Sequence, residues 1–272
     1  MPNADILIMA ILRGVSEILP IDPEAHFALL ARLFCWAAID PMTAAAGFIG
    51  LLIALLVYFW RDVLQMTRSL FRILRGKRDP GAALILHLLA ASVPAFVITF
   101  GLRGFLDVTI REPIYIAVLL VAFGVVLYVG DQAGLTVRRL HQMNFVQALI
   151  IGVFQGLAVL PGVSRIGIVI TVARTLGYER PDAARFALLL SIPWMLASAL
   201  YCFWRGIAAR QMIDDERALI AATLSAVAGF LAIAFLMYWV RRGSFTLFAL
   251  YRVALGGALI YALYRMPEMV CS

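Results

Sequence analysis

Six apolar runs limit what this chain can fold into. Met42 to Trp60, Ile114 to Gly130, Phe186 to Trp204 and Ala218 to Val240 contain no charged residue. Ala82 to Leu102 is interrupted only by His87 and Pro94, and Phe245 to Tyr264 only by Arg252. About 20 apolar residues in a helix cross the ~30 Å hydrocarbon layer of a bilayer. In that layer every backbone N–H and C=O must be paired within the protein, so continuous runs of this length are read as transmembrane helices. The chain is 64% hydrophobic and only 14% charged, with a mean hydropathy of +0.95, outside the range of soluble domains. An all-α polytopic membrane protein with six transmembrane helices follows, as a single integral domain over residues 1–272. Aromatic residues gather at the run ends, Tyr58 with Trp60, Tyr201 with Trp204 and Tyr238 with Trp239, as an interfacial belt requires.

The net charge of +7 sits in short segments between the runs, which points to lipid head groups and away from nucleic acid. Arg61, Arg68, Arg72, Arg75, Lys77 and Arg78 form the strongest basic cluster and are placed in the cytoplasm by the positive-inside rule. Counting runs then puts segment 103–113 outside, Arg138 and Arg139 inside, segment 205–217 with Asp214, Asp215 and Glu216 outside, and Arg241 and Arg242 inside. Cys35, Cys202 and Cys271 are scattered and odd in number, which reads as apolar filler and not as a metal site or disulfide framework. The N-terminus shows no basic region or small-residue cleavage site of a signal peptide. Nothing in the sequence sets an oligomeric state.

Ile11 to Leu33 departs from this pattern by carrying carboxylates, a histidine and two prolines in an apolar setting. Pro20 and Pro23 cannot continue a helix arriving from the N-terminal side, so a break is expected near Ile21. Asp22 suits the N-cap and Pro23 the first position of a new helix. The arms, Ile6 to Leu19 and Phe27 to Ile39, are too short to span separately, which predicts a re-entrant hairpin. Phe145 to Leu176 repeats the design. Arg13-Gly14-Val15-Ser16 and Gln155-Gly156-Leu157-Ala158 lead to Pro20 and Pro161, and each broken stretch precedes three runs. Because three is odd, the second half enters from the opposite side. This is an inverted-topology repeat, approximately 1–143 and 144–272, with two re-entrant helical hairpins whose tips are expected to meet at a binding site.

The second break contains Pro161-Gly162-Val163-Ser164-Arg165. Ser164 can cap a helix starting at Arg165, and a helix N-terminus with free N–H groups favours phosphate. Arg165 adds a forked donor matched to phosphate oxygens, and an intramembrane arginine is a functional candidate. In the first break, His26 can activate water or hydrogen-bond within its own turn, and Asp22 can accept a phosphoryl group or act only as a cap. Glu17 can serve the site or pair with Arg13 four residues earlier on the same helix face.

Taken together, Gly14-Val15-Ser16-Glu17-Ile18-Leu19-Pro20, the Ala25-His26 pair and the Pro161 to Arg165 segment resemble motifs of the bacterial undecaprenyl diphosphate phosphatases, membrane enzymes linked to bacitracin resistance. Val93-Pro94-Ala95, Phe186 to Pro193 and Phe245 to Arg252 are similar to further segments of that family in the same order. The resemblance implies six spans with two re-entrant hairpins, and removal of the terminal phosphate of a C55 polyprenyl diphosphate with help from a divalent cation, Mg or Ca. By that likeness Glu17, His26, Asp22 and Arg165 are candidate catalytic residues, and Ser164, Arg165 and Arg252 candidate phosphate ligands. Glu17, Asp22 and Glu24 are close enough in sequence to share a cation with diphosphate oxygens. The pattern also departs from the family. Arg13 stands where the family has a glutamate, and Asp22-Pro23-Glu24-Ala25 replaces a serine-rich segment, with Pro23 at or beside the serine proposed as nucleophile. The expected function is a polyprenyl diphosphate phosphatase working in the bacterial cytoplasmic membrane with its site open to the outer face. The alternative is a non-catalytic polyprenyl-phosphate binder or transporter.

Overall fold

The computed structural model describes residues 4–36, 39–76, 82–103, 112–134, 136–212 and 214–265. The described chain is helical, with an isolated bridge between Arg138 and Tyr178 as its one extended pairing. Eleven α-helices follow in order: α1 Ala4–Ser16, α2 Pro23–Phe34, α3 Pro41–Tyr58, α4 Trp60–Leu74, α5 Ala82–Arg103, α6 Pro113–Ala133, α7 Phe145–Gln155, α8 Arg165–Thr175, α9 Arg180–Ala208, α10 Asp215–Trp239 and α11 Thr246–Arg265. Six of them, α3, α5, α6, α9, α10 and α11, are long and apolar enough to cross a membrane, so the chain is a multi-pass membrane protein. They coincide with the six apolar runs.

Local chemistry sets the helix starts. Asp40 accepts from Thr43 N at 2.9 Å with Pro41 at the first position of α3, and Asn144 and Gln147 form a reciprocal capping box on α7. Asp214 accepts from Arg217 N at 3.1 Å to open α10. Side-chain caps of this kind satisfy N–H groups that the helix itself leaves unpaired.

The basic segment after the first run is not a loop. Trp60–Leu74 forms α4, almost continuous with α3 across Phe59. Its Arg61, Gln65, Arg68 and Arg72 recur at spacings of four, three and four, which sets a polar stripe along one face. Leu64, Phe71 and Leu74 are exposed beside it, as in a helix lying in a membrane interface. Lys77, Arg78 and most of segment 103–113 lie outside the described residues. Cys35 is disulfide-bonded whereas Cys202 is not, so Cys35 is more than apolar filler.

The helices pair across the chain. Helix α1 packs on α10 and α7 on α5, while α3 meets α9 and α6 meets α11. The glycines that precede the two breaks sit against corresponding neighbours. A Cβ at Gly14 would come within 2.7 Å of Ala228 Cβ on α10, and one at Gly156 within 2.5 Å of Ile98 on α5. No larger residue fits at either position without a shift of the neighbouring helix.

At the end of the molecule that carries Arg138 and Arg139, a buried polar cluster ties four helices together. Asp131 at the end of α6 accepts from Arg174 Nε at 2.9 Å, Arg180 Nε at 2.8 Å and Phe245 N at 3.0 Å. Arg174 also donates to the carbonyls of Asp131, Gly134 and Tyr178. Both Asp131 oxygens and the Arg174 guanidinium find partners, so the charges are not buried unpaired.

Candidate active site

The first broken stretch ends its initial helix at Ser16, three residues before the expected boundary, and turns through residues 17–21. Pro20 accounts for this, because it has no N–H to give to the Ser16 carbonyl four residues earlier and its ring crowds that carbonyl. Asp22 then caps α2 by accepting from Ala25 N at 3.2 Å, with Pro23 at the first helical position. Its φ of +65° is a conformation that non-glycine residues enter only at a cost. The second stretch behaves alike. After α7 and a 3-10 turn at Gly156–Val159, Gly162 turns with φ +89° and Ser164 caps α8 by accepting from Gly167 N at 3.2 Å.

A cavity of about 370 Å³ lies where the breaks face each other. Arg13, Glu17, Asp22, Pro23 and Glu24 from the first stretch and Pro161, Val163 and Arg165 from the second line it. Helix α9 completes the wall with Trp194, Ser198, Tyr201 and Arg205. Arg165 Nη2 donates to Glu17 Oε2 at 3.1 Å across the two stretches, and its guanidinium lies over the Trp194 ring at 5.4 Å. The Arg165 side chain is 7% exposed, yet its Nε and Nη1 have no hydrogen-bond partner among the described residues. Buried donors left unpaired are costly, so this arginine is set up to take an anion. Arg13 Nη1 lies 3.9 Å from Glu17 Oε1. Glu17 therefore does pair with Arg13, and it lines the cavity as well.

Not every expected site residue reaches the cavity. His26 is buried behind it, with Nδ1 2.7 Å from the Asp22 carbonyl and Nε2 2.8 Å from the Tyr251 hydroxyl. A carbonyl only accepts, so Nδ1 carries the hydrogen and Nε2 accepts from Tyr251. Burial lowers the His26 pKa and keeps the ring neutral. Arg252 likewise stands behind the second break, donating to Gly162 O at 2.8 Å and Leu120 O at 3.4 Å. Ser164 keeps its hydroxyl on the helix cap. Asp22 is 4% exposed, and its carboxyl is pushed up to about 7, mainly by burial and then by Glu24, with Arg252 acting in the opposite sense.

Glu17, Asp22 and Glu24 all line the cavity. Both Glu17 oxygens face guanidinium groups, Asp22 caps a helix, and among the described residues no group of three or more His, Cys, Asp or Glu is placed to hold a metal ion. Trp194 and Tyr251 escaped the sequence reading as site residues. Tyr251 adjoins the Arg252 motif residue, but nothing in the apolar run around Trp194 marks it.

The model of the bacitracin resistance protein family, BacA, matches residues 6–258. The chain belongs to the BacA family. Among BacA relatives, undecaprenyl-diphosphatase 1 of Paramagnetospirillum magneticum is 35% identical over 246 residues, covering 90% of this chain and 92% of that protein. Undecaprenyl-diphosphatase of Desulforudis audaxviator is 39% identical over 253 residues, 90% of this chain and 91% of that protein. Undecaprenyl-diphosphatase 1 of Rhodospirillum rubrum is 39% identical over 250 residues, 88% of each. The BacA match takes in both broken stretches, five of the six apolar helices whole and α11 as far as residue 258.

Proposed function

We propose that this chain hydrolyses undecaprenyl diphosphate to the monophosphate and inorganic phosphate, recycling the carrier lipid of cell-wall synthesis. The observation that carries the reading is Arg165, buried at the N-terminus of α8 with two unpaired donors beside a cavity between apolar helices. In this reading the terminal phosphate sits against Arg165 and the free N–H groups of α8, where helix dipole and guanidinium both favour negative charge. Water attacks the terminal phosphorus as the bond to the bridging oxygen breaks, and that electron pair leaves on the polyprenyl phosphate. Asp22 lines the cavity with a pKa near neutrality, which suits a general base taking the water's proton. His26 acts as a positioning residue, since its Nδ1–H holds the Asp22 carbonyl and so the unusual backbone that aims the carboxyl.

The two stretches act as re-entrant hairpins of an inverted repeat in a bacterial cytoplasmic membrane, with the cavity open to the outer face. The pairing of α1 with α10 and α7 with α5 supports the repeat. Cavity residues Tyr201 and Arg205 lie at the far end of α9 from Arg185, which pairs with Asp62 on the arginine-rich α4. A disulfide at Cys35, close to the first break, suits the oxidising outer side.

The test is phosphate release from undecaprenyl diphosphate by the purified protein. Arg165→Lys keeps the charge but loses the fork, and is expected to weaken monophosphate binding by about tenfold or more, as for one charged hydrogen bond. Tight binding of the lipid phosphate with no release of phosphate under any condition would install the binder or transporter instead.

A further inference from the structure

The cavity disagrees with a divalent cation at one place. Arg13 reaches it from the end of α1 along a fixed path. A Cβ at Gly47 would lie 3.3 Å from Arg13 Cδ, so the stem runs in a groove that a glycine leaves on α3. The guanidinium is then held by two rings, 5.0 Å from the Phe27 centroid and 4.8 Å from that of Phe48. Cation–π contacts with the two rings hold the charge in place where little water reaches it, the side chain being 12% exposed. Glu17 receives Arg13 on one oxygen and Arg165 on the other. Two guanidinium groups against one carboxylate leave one net positive charge, and Arg13 Nε, Arg165 Nε and Arg165 Nη1 are buried without hydrogen-bond partners among the described residues. A cation brought to Glu17 would meet two like charges and an occupied ligand. An oxyanion would meet two guanidinium charges and the two unmet donors of Arg165.

We propose that Arg13 does here the work of a divalent cation: Arg13 and Arg165, bridged by Glu17, neutralise the diphosphate, and the chain binds and hydrolyses it with no divalent cation bound. This rests on the phosphatase reading. Transfer of a phosphoryl group needs its charge neutralised and its oxygens held in line, and arginines supply both where they are rigidly placed. Arg165 belongs to the second break and Arg13 to the first, so the two grip the ligand from opposite halves. Glu17 is the positioning residue that spaces them.

The experiment uses the full-length protein in detergent micelles, with undecaprenyl diphosphate as substrate and undecaprenyl monophosphate as binding probe, in excess chelator and in added Mg or Ca. The wild type is expected to release phosphate in chelator at a rate within about threefold of that with cation, and to bind the monophosphate equally in both. Arg13→Gln is expected to lose about tenfold or more of both in chelator, and Arg13→Lys to recover part of the loss. Arg13→Glu should be inactive in chelator and regain phosphate release when Mg or Ca is added. A wild type whose hydrolysis and binding both collapse in chelator and return with cation overturns the proposal. So does an Arg13→Gln protein, monodisperse by gel filtration, that binds as the wild type does. If no condition yields phosphate, the phosphatase reading fails by itself. The binding arm then still decides the role of Arg13, by whether cation-free affinity is lost in Arg13→Gln.

Discussion

Asp22 concentrates the tension of the site. It caps a helix from a positive-φ backbone, is nearly sealed from solvent and still lines the cavity. Burial raises its pKa to about 7 from 3.8, and two opposite pH effects follow. The folded chain keeps a proton that the unfolded chain has lost, so this group's contribution to stability falls as pH rises from 3.8 to about 7 and is level above. Catalysis by an Asp22 base needs the ionised form, so kcat/KM is expected to rise across the same region and reach a plateau above about pH 7. Asp22→Asn should remove that limb and lower the rate by about 100-fold or more, the usual range for loss of a general base. Rates measured from acid to alkaline pH on both proteins check this, and an unchanged limb in Asp22→Asn would assign the titration elsewhere. Ser164 as a cap and Arg165 beside it were legible from one pentapeptide, because capping chemistry is local. The turning of His26 towards Tyr251, 225 positions away, was not, because no local pattern encodes it.

At the scale of elements, the two broken segments were readable from prolines and apolar length, and the six long helices from the absence of charge. Helix α4 was missed because its arginines were counted as a loop signal before their helical spacing was considered. The Asp131 cluster was missed for another reason. Asp131 closes an apolar run and Arg174 lies within another, and only packing shows that they meet. That cluster holds the ends of α6, α8, α9 and α11 in register, and α8 is the helix whose N-terminus forms half of the cavity. Arg174→Ala would leave Asp131 with Arg180 and a backbone N–H, and leave its own buried carbonyl partners unpaired. Breaking a buried ion pair from one side costs about 3–5 kcal/mol. Arg174→Ala is therefore expected to lower the thermal midpoint of the purified protein strongly, while Arg139→Ala, at the exposed pair with Glu179, should change it little. Equal stability of the Arg174→Ala and wild-type proteins would show that the cluster is not what holds α8.

For the whole molecule, orientation decides which side of the membrane the substrate enters from. Residues of α4 gather with Arg139, His141, Asp182 and Arg185 around a cavity at one end, while Asp5, Asp40 and Arg217 gather around another cavity at the opposite end of the bundle. The first end carries the arginine stripe of α4 and the second the acidic start of α10. The positive-inside rule predicts the first end inside and the second, with the candidate-site cavity nearer to it, outside. A cysteine placed at Arg72 should stay unlabelled by a membrane-impermeant maleimide in intact cells and react after lysis, whereas one at Asp214 should react before lysis. The reverse pattern would turn the molecule over, put the cavity on the cytoplasmic side and require the diphosphate to be presented there. Because α9 runs from Arg185 at one end to Arg205 at the other, a single additional cysteine at Arg205 checks the result independently: it must label with Asp214 and not with Arg72 if the six spans are counted correctly.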